Sequence, residues 1–258
     1  MNLTIVIPVF NHWKTTAQCI ASILKNEIPI PYKILIVNDA STDLTSTLLK
    51  NVQKEGKIWC SYLSLEVIRN EKNLGYILST NIGLKNSNSD YILLLNNDVI
   101  LQENCIRELL KASQEYPNIG LLGALQLDEN KNLVPLKTFL RGEKATIRDH
   151  IVSKELPKDL NTPFDNDIVM VACVLIPRTT LEKVGYFDEQ FQLGCYEQED
   201  YCLRMKEAGL RVAFCPMAKF IHIGSVSTMG LQEYSIALDK NRELFHKKWG
   251  KKLTEGII

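Results

Sequence analysis

The 258-residue chain carries 30 basic and 30 acidic side chains, and 45% of its residues are hydrophobic. This composition is ordinary for a globular protein and leaves room for one large domain or two small ones. The balanced charge provides no basic field of the kind that nucleic-acid-binding proteins carry, so no nucleic acid partner is expected.

Strands and helices are predicted to alternate over the first 116 residues. Apolar and β-rich runs predict strands at residues 3–9, 32–37, 65–68 and 91–95. Helical spacing and stop signals predict four helices: one at 15–25, one that ends near 55, one that ends near 85, and one at 103–116. This alternation predicts a doubly wound, largely parallel sheet.

The second half is predicted to be less regular. Strands are predicted at 119–127, 168–176, 211–215 and 219–223, and helices at 178–184, 199–208 and 231–249. The polar segment 128–167 shows little periodicity, and a connection of that length in a compact domain is usually functional or mobile.

The cysteines and the apolar segments bear on the compartment. The seven cysteines are scattered without a CxxC pair, which favours reduced, mostly buried thiols over a disulfide framework or a zinc site. The N-terminal sequence lacks the pattern of a signal peptide, and no apolar stretch reaches the ~20 residues that span a bilayer. We therefore expect a cytoplasmic protein.

The apolar run Tyr91–Leu95 ends abruptly in Asn96, Asn97 and Asp98. A continuous apolar run fits a strand buried on both faces of a parallel sheet. The carboxyl ends of such strands form the edge at which open α/β sheets bind ligands. A carboxylate there is suited to hold a divalent cation beside a phosphate. Asn and Asp also favour turns, so a simple turn is the alternative interpretation.

The segment after the first predicted strand, Pro8 to Trp13, contains no glycine. Dinucleotide-binding turns need glycines at this place, which argues against a nicotinamide dehydrogenase, and the absence of GxxxxGK[ST] excludes a P-loop. A diphosphate bound without a glycine cradle would need a cation to neutralise it. Asp98 is the best candidate to hold that cation.

Other acidic residues follow predicted strands or glycine turns, namely Asp39 and the cluster from Glu197 to Asp200, and His222 ends a late strand. Side chains at strand ends on one sheet edge can converge, so a metal, a base-recognising carboxylate and a general base could share a cleft. Each also has a structural interpretation. Asp39 could cap a helix, the acidic cluster could place charge at a helix terminus and pair with Arg204, and His222 could be a structural histidine.

In their order and spacing, these fragments resemble the family 2 glycosyltransferases of the GT-A fold, and among them bacterial rhamnosyltransferases. The matching fragments run along nearly the whole chain: Thr4-Ile5-Val6-Ile7-Pro8-Val9-Phe10-Asn11, Val37-Asn38-Asp39-Ala40-Ser41-Thr42-Asp43, Asn73-Leu74-Gly75, Asn81-Ile82-Gly83, Leu95-Asn96-Asn97-Asp98, Glu197 to Arg204, Ala208-Gly209, His222-Ile223-Gly224-Ser225 and Lys248-Trp249-Gly250. The resemblance implies an inverting enzyme that uses a nucleotide-diphosphate sugar.

The resemblance also implies an architecture. It is an α/β GT-A fold with a Rossmann-like, mostly parallel central sheet flanked by helices and followed by a C-terminal helix. The glycosyltransferase domain would comprise residues 1–230, with a nucleotide-binding half at 1–116 and an acceptor and catalytic half at 117–230. An amphipathic helix would follow at 231–258.

By resemblance, the donor-binding residues are Pro8, Val9, Phe10, Asn11, Asp39, Asn73, Gly75, Asn81, Asn97 and Asp98. Asp39 would accept a hydrogen bond from a pyrimidine N3–H, which favours uridine or thymidine diphosphate donors. The Asn96-Asn97-Asp98 segment corresponds to the family's DxD motif with Asn at the first position. Asp98 would therefore be the main ligand of Mn²⁺ or Mg²⁺, and His222 a second one.

The catalytic motif departs from the family pattern. The family often has Glu-Asp-x-Asp four residues before an arginine, with the first Asp as the base, and Gln198 occupies that position here. Because glutamine cannot take a proton, the candidates for the base are Asp200 and Glu199, with Glu197 third. Gln198 also motivates an alternative from another class, a non-catalytic nucleotide-sugar-binding subunit that has lost its base.

The acceptor side is expected in residues 128–167, with a glycan or lipid-linked saccharide as the acceptor and polysaccharide assembly at the bacterial cell envelope as the setting. The C-terminal helix places Leu244, Phe245 and Trp249 near Lys247 and Lys248, a mixture suited to the surface of anionic lipid. This predicts peripheral contact with the inner face of the membrane. The alternative is a helix that packs on the domain and leaves its lysines in solvent.

Overall fold

The computed structural model of the chain describes residues 1–59, 64–139, 151–191, 194–224 and 231–255. The strands are β1 Leu3–Val9, β2 Tyr32–Asn38, β3 Ser64–Arg69, β4 Tyr91–Leu95, β5 Val99–Leu101, β6 Ile119–Leu127, β7 Leu136–Phe139, β8 Ile151–Lys154, β9 Phe164–Asp165, β10 Cys173–Pro177 and β11 Arg211–His222. The helices are α1 Trp13–Leu24, α2 Thr45–Trp59, α3 Tyr76–Lys85, α4 Cys105–Glu115, α5 Arg178–Val184, α6 Glu197–Glu207 and α7 Leu231–Thr254.

The main sheet has the strand order β3-β2-β1-β4-β10-β6-β11-β5, and β9 pairs with β11. The first four strands in this order are parallel, as their alternation with helices predicts. β10 is antiparallel to both β4 and β6, whereas β6 and β11 are parallel to each other. The predicted α/β fold with a mostly parallel central sheet is therefore confirmed, with a mixed second half.

Both faces of the sheet are covered, which explains the continuous apolar runs in its strands. In β1, Ile5 and Ile7 point to a core shared with α1, α2 and α4. Val6 points to a second core, shared with α3, α5, α6 and α7. The packing is tight at Gly83 of α3, where an added Cβ would lie 2.3 Å from the Cγ1 of Val6.

The predicted strand at 168–176 is too long. Only Cys173–Pro177 forms a strand, although Ile168, Val169 and Val171 are also buried. These residues lie as irregular chain against α6, where the amide of Val171 donates to Gln198 Oε1 at 3.4 Å. Their apolar character reflects burial and not extended pairing.

The two strands predicted at 211–215 and 219–223 are one strand, β11, with a register shift between Cys215 and Lys219. Pro216 lies in the shifted segment and has no N–H for the ladder, which makes the sequence look interrupted. The polar segment after residue 127 contains the antiparallel pair β7–β8, and its residues 140–150 lie outside the described residues.

The described cysteines fit the expectation of mostly buried thiols, because Cys19, Cys105, Cys173, Cys202 and Cys215 are free and buried. Cys60 lies outside the described residues. Within the described part of the chain, none of the helices combines the length and the apolar character that crossing a membrane requires.

Candidate active site

The loops that follow β1 and β2 are tied to each other through Asn11. Its side-chain Oδ1 accepts hydrogen bonds from the amides of Thr42 at 2.8 Å and Asp43 at 3.2 Å, and its own amide donates to Ser41 Oγ at 2.8 Å. Of the predicted donor-binding segment, Pro8 and Val9 are buried in β1, and Phe10 and Asn11 are partly exposed. Of these four residues, only Phe10 and Asn11 therefore have side chains that a ligand could contact.

Asp39, at the end of β2, is buried and holds the loop that leads into α3. Its Oδ1 accepts from Asn70 Nδ2 and from the amide of Leu74, and its Oδ2 accepts from the amide of Gly75, each at 2.8 Å. Asn73 Oδ1 also accepts from the Gly75 amide, at 2.9 Å. Gly75 has a φ of 88°, a conformation that favours glycine. Three predicted donor-site residues, Asp39, Asn73 and Gly75, thus form one hydrogen-bonded corner.

Asp98 and His222 lie in direct contact. Asp98 Oδ1 is 3.0 Å from His222 Nε2, although the two residues are 124 positions apart in the chain. The short strand β5, which the sequence did not predict, brings them together because Val99 pairs with His222 in an antiparallel ladder. The turn interpretation is also correct in part, because Asn97 and Asp98 form the turn between β4 and β5.

This pair fits a cation only if a ligand completes the coordination. Among the residues that the structure describes, no group of three or more His, Cys, Asp or Glu side chains could hold a metal ion. Mg²⁺ is commonly bound through one or two protein ligands together with substrate phosphates and waters. A carboxylate and an imidazole in contact therefore suit a cation that arrives with a diphosphate.

Tyr76, which the sequence analysis did not single out, connects the strand-end turn to the acidic helix. Its hydroxyl donates to Asn96 Oδ1 at 3.0 Å. Burial, together with the charges of Glu197 and Asp98, raises the pKa of this hydroxyl. Glu197 and Asp98 therefore lie near the same tyrosine, at the edge where β4 ends. Asn97 contacts α1 nearby, through Nδ2 and Thr16 Oγ1 at 3.0 Å.

The surroundings of Asp200 favour a structural role over its predicted role as the first candidate for the base. Its side chain is 0% exposed. Oδ2 accepts from Arg204 Nε at 2.8 Å, and Oδ1 lies 2.9 Å from Trp249 Nε1 and 2.6 Å from Lys248 Nζ. A carboxylate that is closed to solvent and paired with two cations is a structural anchor.

Glu197 and Glu199 have surroundings that differ from those of Asp200, although all three residues lie in the first turn of α6. Both are buried, and within the described part of the chain the Oε2 atom of each has no hydrogen-bond partner. Burial, together with the charge of Glu199, raises the pKa of Glu197 to about 8. Burial also raises the pKa of Glu199, whose Oε1 accepts from Gln198 Nε2 at 3.0 Å. A buried carboxyl with a raised pKa and an unused oxygen is characteristic of functional sites.

Asn81, predicted to bind the donor, has a structural role instead. Its side chain is 1% exposed, and its Nδ2 donates both to the carbonyl of Phe187 and to Glu189 Oε1, each at 2.9 Å. Its Oδ1 accepts from the Phe187 amide at 3.0 Å. Because both amide hydrogens are used, Asn81 holds the loop after α5 and offers no donor to a ligand.

The packing of the C-terminal helix favours the alternative interpretation, a helix that packs on the domain. Phe245 and Trp249 of α7 are buried in the second core, and the Lys248 ammonium pairs with Asp188 at 2.7 Å as well as with Asp200. These side chains are used inside the molecule, so they are not free to contact lipid. Lys248 and Trp249 belong to a fragment that matches the family, but their contact with Asp200, 48 or more positions away, could not be predicted from the sequence.

Asp39 and Asp98 follow the carboxyl ends of β2 and β4 in a mixed sheet, and the loop after β1 has no glycine cradle. The two together define a GT-A-type α/β protein. The chain belongs to the family described as glycosyl transferase family 2, whose sequence profile matches residues 4–185. The matched region ends before α6, so the acidic cluster lies outside it.

The relatives that the chain resembles include glycosyltransferases. The chain is 26% identical over 192 residues to a low-salt glycan biosynthesis hexosyltransferase of Haloferax volcanii, a match that covers 72% of this chain and 61% of that protein. It is 27% identical over 153 residues to the poly(ribitol-phosphate) beta-N-acetylglucosaminyltransferase TarP of Staphylococcus aureus, covering 58% and 45%. The chain thus spans less than two thirds of the length of these relatives.

Solved structures share the fold. GalNAc-T7 with UDP, GalNAc and Mn²⁺ superposes with a TM-score of 0.73 at 16% identity, covering 95% of this chain and 49% of that one. S. aureus TarS 1-349 in complex with UDP-GlcNAc superposes with a TM-score of 0.62 at 15% identity, covering 92% and 64%. These likenesses confirm the GT-A architecture.

Proposed function

We propose that the chain transfers a sugar from a UDP- or dTDP-sugar to a glycan or lipid-linked acceptor, with inversion at the anomeric carbon. The convergence of the Asp98–His222 pair and the buried Glu197 around Tyr76 carries this proposal. The donors named in the TarS and GalNAc-T7 structures, a UDP-sugar and UDP with a sugar, support the donor class.

Asp98 and His222 would hold Mn²⁺ or Mg²⁺ together with the donor diphosphate. When bound, the cation supplies positive charge that offsets the charge developing on the leaving group. The presence of Mn²⁺ in the GalNAc-T7 structure supports this choice of metal. Asp39 would accept the pyrimidine N3–H at Oδ2, because a carboxylate oxygen has two lone pairs and Oδ2 uses one for the Gly75 amide.

Glu197 is the best candidate for the general base, and Glu199 is the second. As the acceptor oxygen attacks C1, the bond from C1 to the diphosphate oxygen breaks and the acceptor proton passes to the carboxylate. This assistance is worth roughly 10²–10⁴ in rate. A pKa of about 8 would keep Glu197 mostly protonated at neutral pH before the donor binds, so transfer is expected to rise with pH.

The test of the donor and cation sites is nucleotide release from a panel of UDP-, dTDP- and GDP-sugars, with and without candidate acceptors and Mn²⁺. Asp98→Asn and His222→Ala should each lower transfer at least tenfold, as should a chelator. Asp90→Asn is the matched control, because Asp90 is an exposed carboxylate at the opposite end of β4. Transfer that is insensitive to chelator and to Asp98→Asn would contradict the cation site.

The test of the base uses Glu197→Gln and Glu199→Gln in the same assay. Glu197→Gln should reduce kcat by 10²-fold or more and leave the KM for the donor within about twofold. If both variants keep wild-type transfer, neither glutamate is the base.

The alternative function is a non-catalytic nucleotide-sugar-binding subunit, which Gln198 motivates. Gln198 is accounted for structurally, since it donates to Glu199 and accepts from the Val171 amide. The unpartnered oxygens of Glu197 and Glu199 favour the enzyme. Donor binding in the wild type without transfer or donor hydrolysis on any acceptor would support the alternative.

A further inference from the structure

The turn that leads into Glu197 has an unusual backbone. Gly194, Cys195 and Tyr196 have φ values of 84°, 73° and 68°, so three successive residues lie in the left-handed region. Residues with a side chain rarely adopt this region, and they stay there only when the surrounding structure holds them. The next residue is Glu197, the first residue of α6. The direction in which its carboxyl points therefore depends on whatever holds this turn.

Helix α7 holds the turn from one side. The Asn241 side chain is 1% exposed, and its Nδ2 donates to the carbonyls of Gly194 at 2.9 Å and Cys195 at 3.1 Å. One turn further along α7, the Phe245 ring packs on the Tyr196 ring with 5.3 Å between their centroids. Arg242 Nε lies 3.4 Å from the Tyr196 hydroxyl. Each residue of the turn is thus contacted from the same helix.

The same helix also holds the first turn of α6. Trp249 Nε1 and Lys248 Nζ contact Asp200 Oδ1, at 2.9 and 2.6 Å. Asp200 lies three residues after Glu197, which places it one helical turn away. The carboxyl of Glu197 is therefore bracketed by two points of contact with α7, one before it and one after it.

We propose that α7 is a positioning element for Glu197, with Asn241 as its principal positioning residue. By fixing the left-handed turn, Asn241 keeps the Glu197 carboxyl buried and directed into the site. This inference rests on the proposed function, because it assigns Asn241 a role through the candidate base. Asn241 itself contacts no reacting atom.

The experiment uses Asn241→Asp in the full chain, because aspartate keeps the shape of the side chain and removes the two N–H donors. Transfer should fall at least tenfold in kcat, with the KM for the donor within twofold. The acidic limb of the pH profile of kcat/KM should also move to lower pH by at least one unit. The limb moves because a loosened turn admits water to Glu197 and its carboxyl then ionises more easily.

Asn241→Ala and Lys248→Met serve as second variants if the aspartate variant fails to fold, and the same shift of the acidic limb is expected of both. Lys240→Ala, an exposed position on α7, is the matched surface control. Leu109→Ala on α4 controls for lost stability, because Leu109 is buried in the other core.

A wild-type pH profile and kcat in the Asn241 variants would overturn the inference, as would a loss that the Leu109→Ala variant reproduces. Failure of the proposed function looks different, because the wild-type chain itself would then transfer no sugar. Binding of UDP with Mn²⁺, measured by calorimetry, should be unchanged in Asn241→Asp. The residues proposed to bind the donor and the cation, Asp39, Asp98 and His222, belong to strands of the main sheet or lie directly next to them, and they are not part of the turn that Asn241 holds.

Discussion

At the scale of single residues, the acidic cluster of α6 shows that neighbouring carboxyls can have opposite roles. Asp200 is neutralised by Arg204 and Lys248, whereas Glu197 is buried and its Oε2 has no hydrogen-bond partner among the residues that the structure describes. The sequence predicts that a carboxylate of this cluster matters, but it cannot assign the roles. The deciding partners are Lys248 and Trp249, which only the packing of α7 brings close.

Glu197 should make the stability of the protein depend on pH. Burial raises its pKa from 4.5 to about 8, so between these values the folded protein holds a proton that the unfolded chain has lost. Its contribution to the free energy of unfolding is complete below pH 4.5 and is lost as the pH rises through 8. The full loss is on the order of 5 kcal/mol.

Urea unfolding at pH 5 and pH 8 measures this dependence. Relative to the wild type, Glu197→Gln should become more stable as the pH rises, since glutamine has no proton to lose. Glu103→Gln is the control, because Glu103 is exposed near the start of α4. A difference between Glu197→Gln and the wild type that stays constant between the two pH values would contradict the raised pKa.

Asp200→Asn should destabilise the protein by about 3–5 kcal/mol, because it leaves partly buried cations without their common anion. The free energy of unfolding in urea measures the loss. The control is Asp239→Asn, which removes an exposed carboxylate that pairs with Arg242 at 2.9 Å. That change should stay within about 0.5 kcal/mol of the wild type. Equal effects of the two variants would argue against the anchoring role of Asp200.

At the scale of elements, strands were predictable where a long apolar run ends in polar residues, as at Tyr91–Leu95. Strand prediction failed where residues are buried but do not pair in the sheet. Ile168, Val169 and Val171 are apolar because they are buried with α6 in the second core. β5 was missed because three residues are too few to show a pattern. The missed β5 matters most, since its pairing with β11 sets the distance between Asp98 and His222.

Gly83→Ala tests the contact between α3 and the sheet. Alanine is the better helix former by ~1 kcal/mol, but its Cβ would lie 2.3 Å from Val6 Cγ1 and 3.2 Å from Val37 Cγ2. Because overpacking costs roughly 1–3 kcal/mol, we expect a net loss of stability in denaturant unfolding. The double variant Gly83→Ala with Val6→Ala removes the clash, so it should be more stable than the sum of the single effects predicts. If the effects of the two single substitutions on stability simply add, Gly83 and Val6 are not in contact.

At the scale of the whole molecule, the family and the α/β fold were predictable from the order of the motifs. The alternation of strands and helices defines a parallel first half because each crossover returns the chain in the same direction. The mixed second half was not predictable, since nothing in Cys173–Pro177 shows that β10 runs antiparallel between β4 and β6. The packing of α7 on the rest of the domain was likewise not predictable from the sequence.

A ligand that needs both halves of the molecule should stabilise them together. UDP with Mn²⁺ is expected to raise the melting temperature, by an amount equivalent to ~2.7 kcal/mol at a concentration of 100 times Kd. UDP or Mn²⁺ alone should give a much smaller shift, because the cation and the diphosphate complete each other's coordination. His222→Ala should lose the combined shift, measured by differential scanning fluorimetry. Equal shifts with UDP alone would argue against a shared cation site.

The position of β10 has a consequence for the first half of the molecule taken alone. β10 covers one side of β4, whose residues Ile92 to Leu95 are fully buried. A fragment ending at residue 116 would present β4 as an edge strand, apolar and with open backbone hydrogen-bonding groups. Such edges pair readily with other chains, so the fragment should self-associate or aggregate. Residues 1–116 are therefore not expected to be stable as a separate unit, because the strand that covers β4, Cys173–Pro177, comes from the second half of the chain.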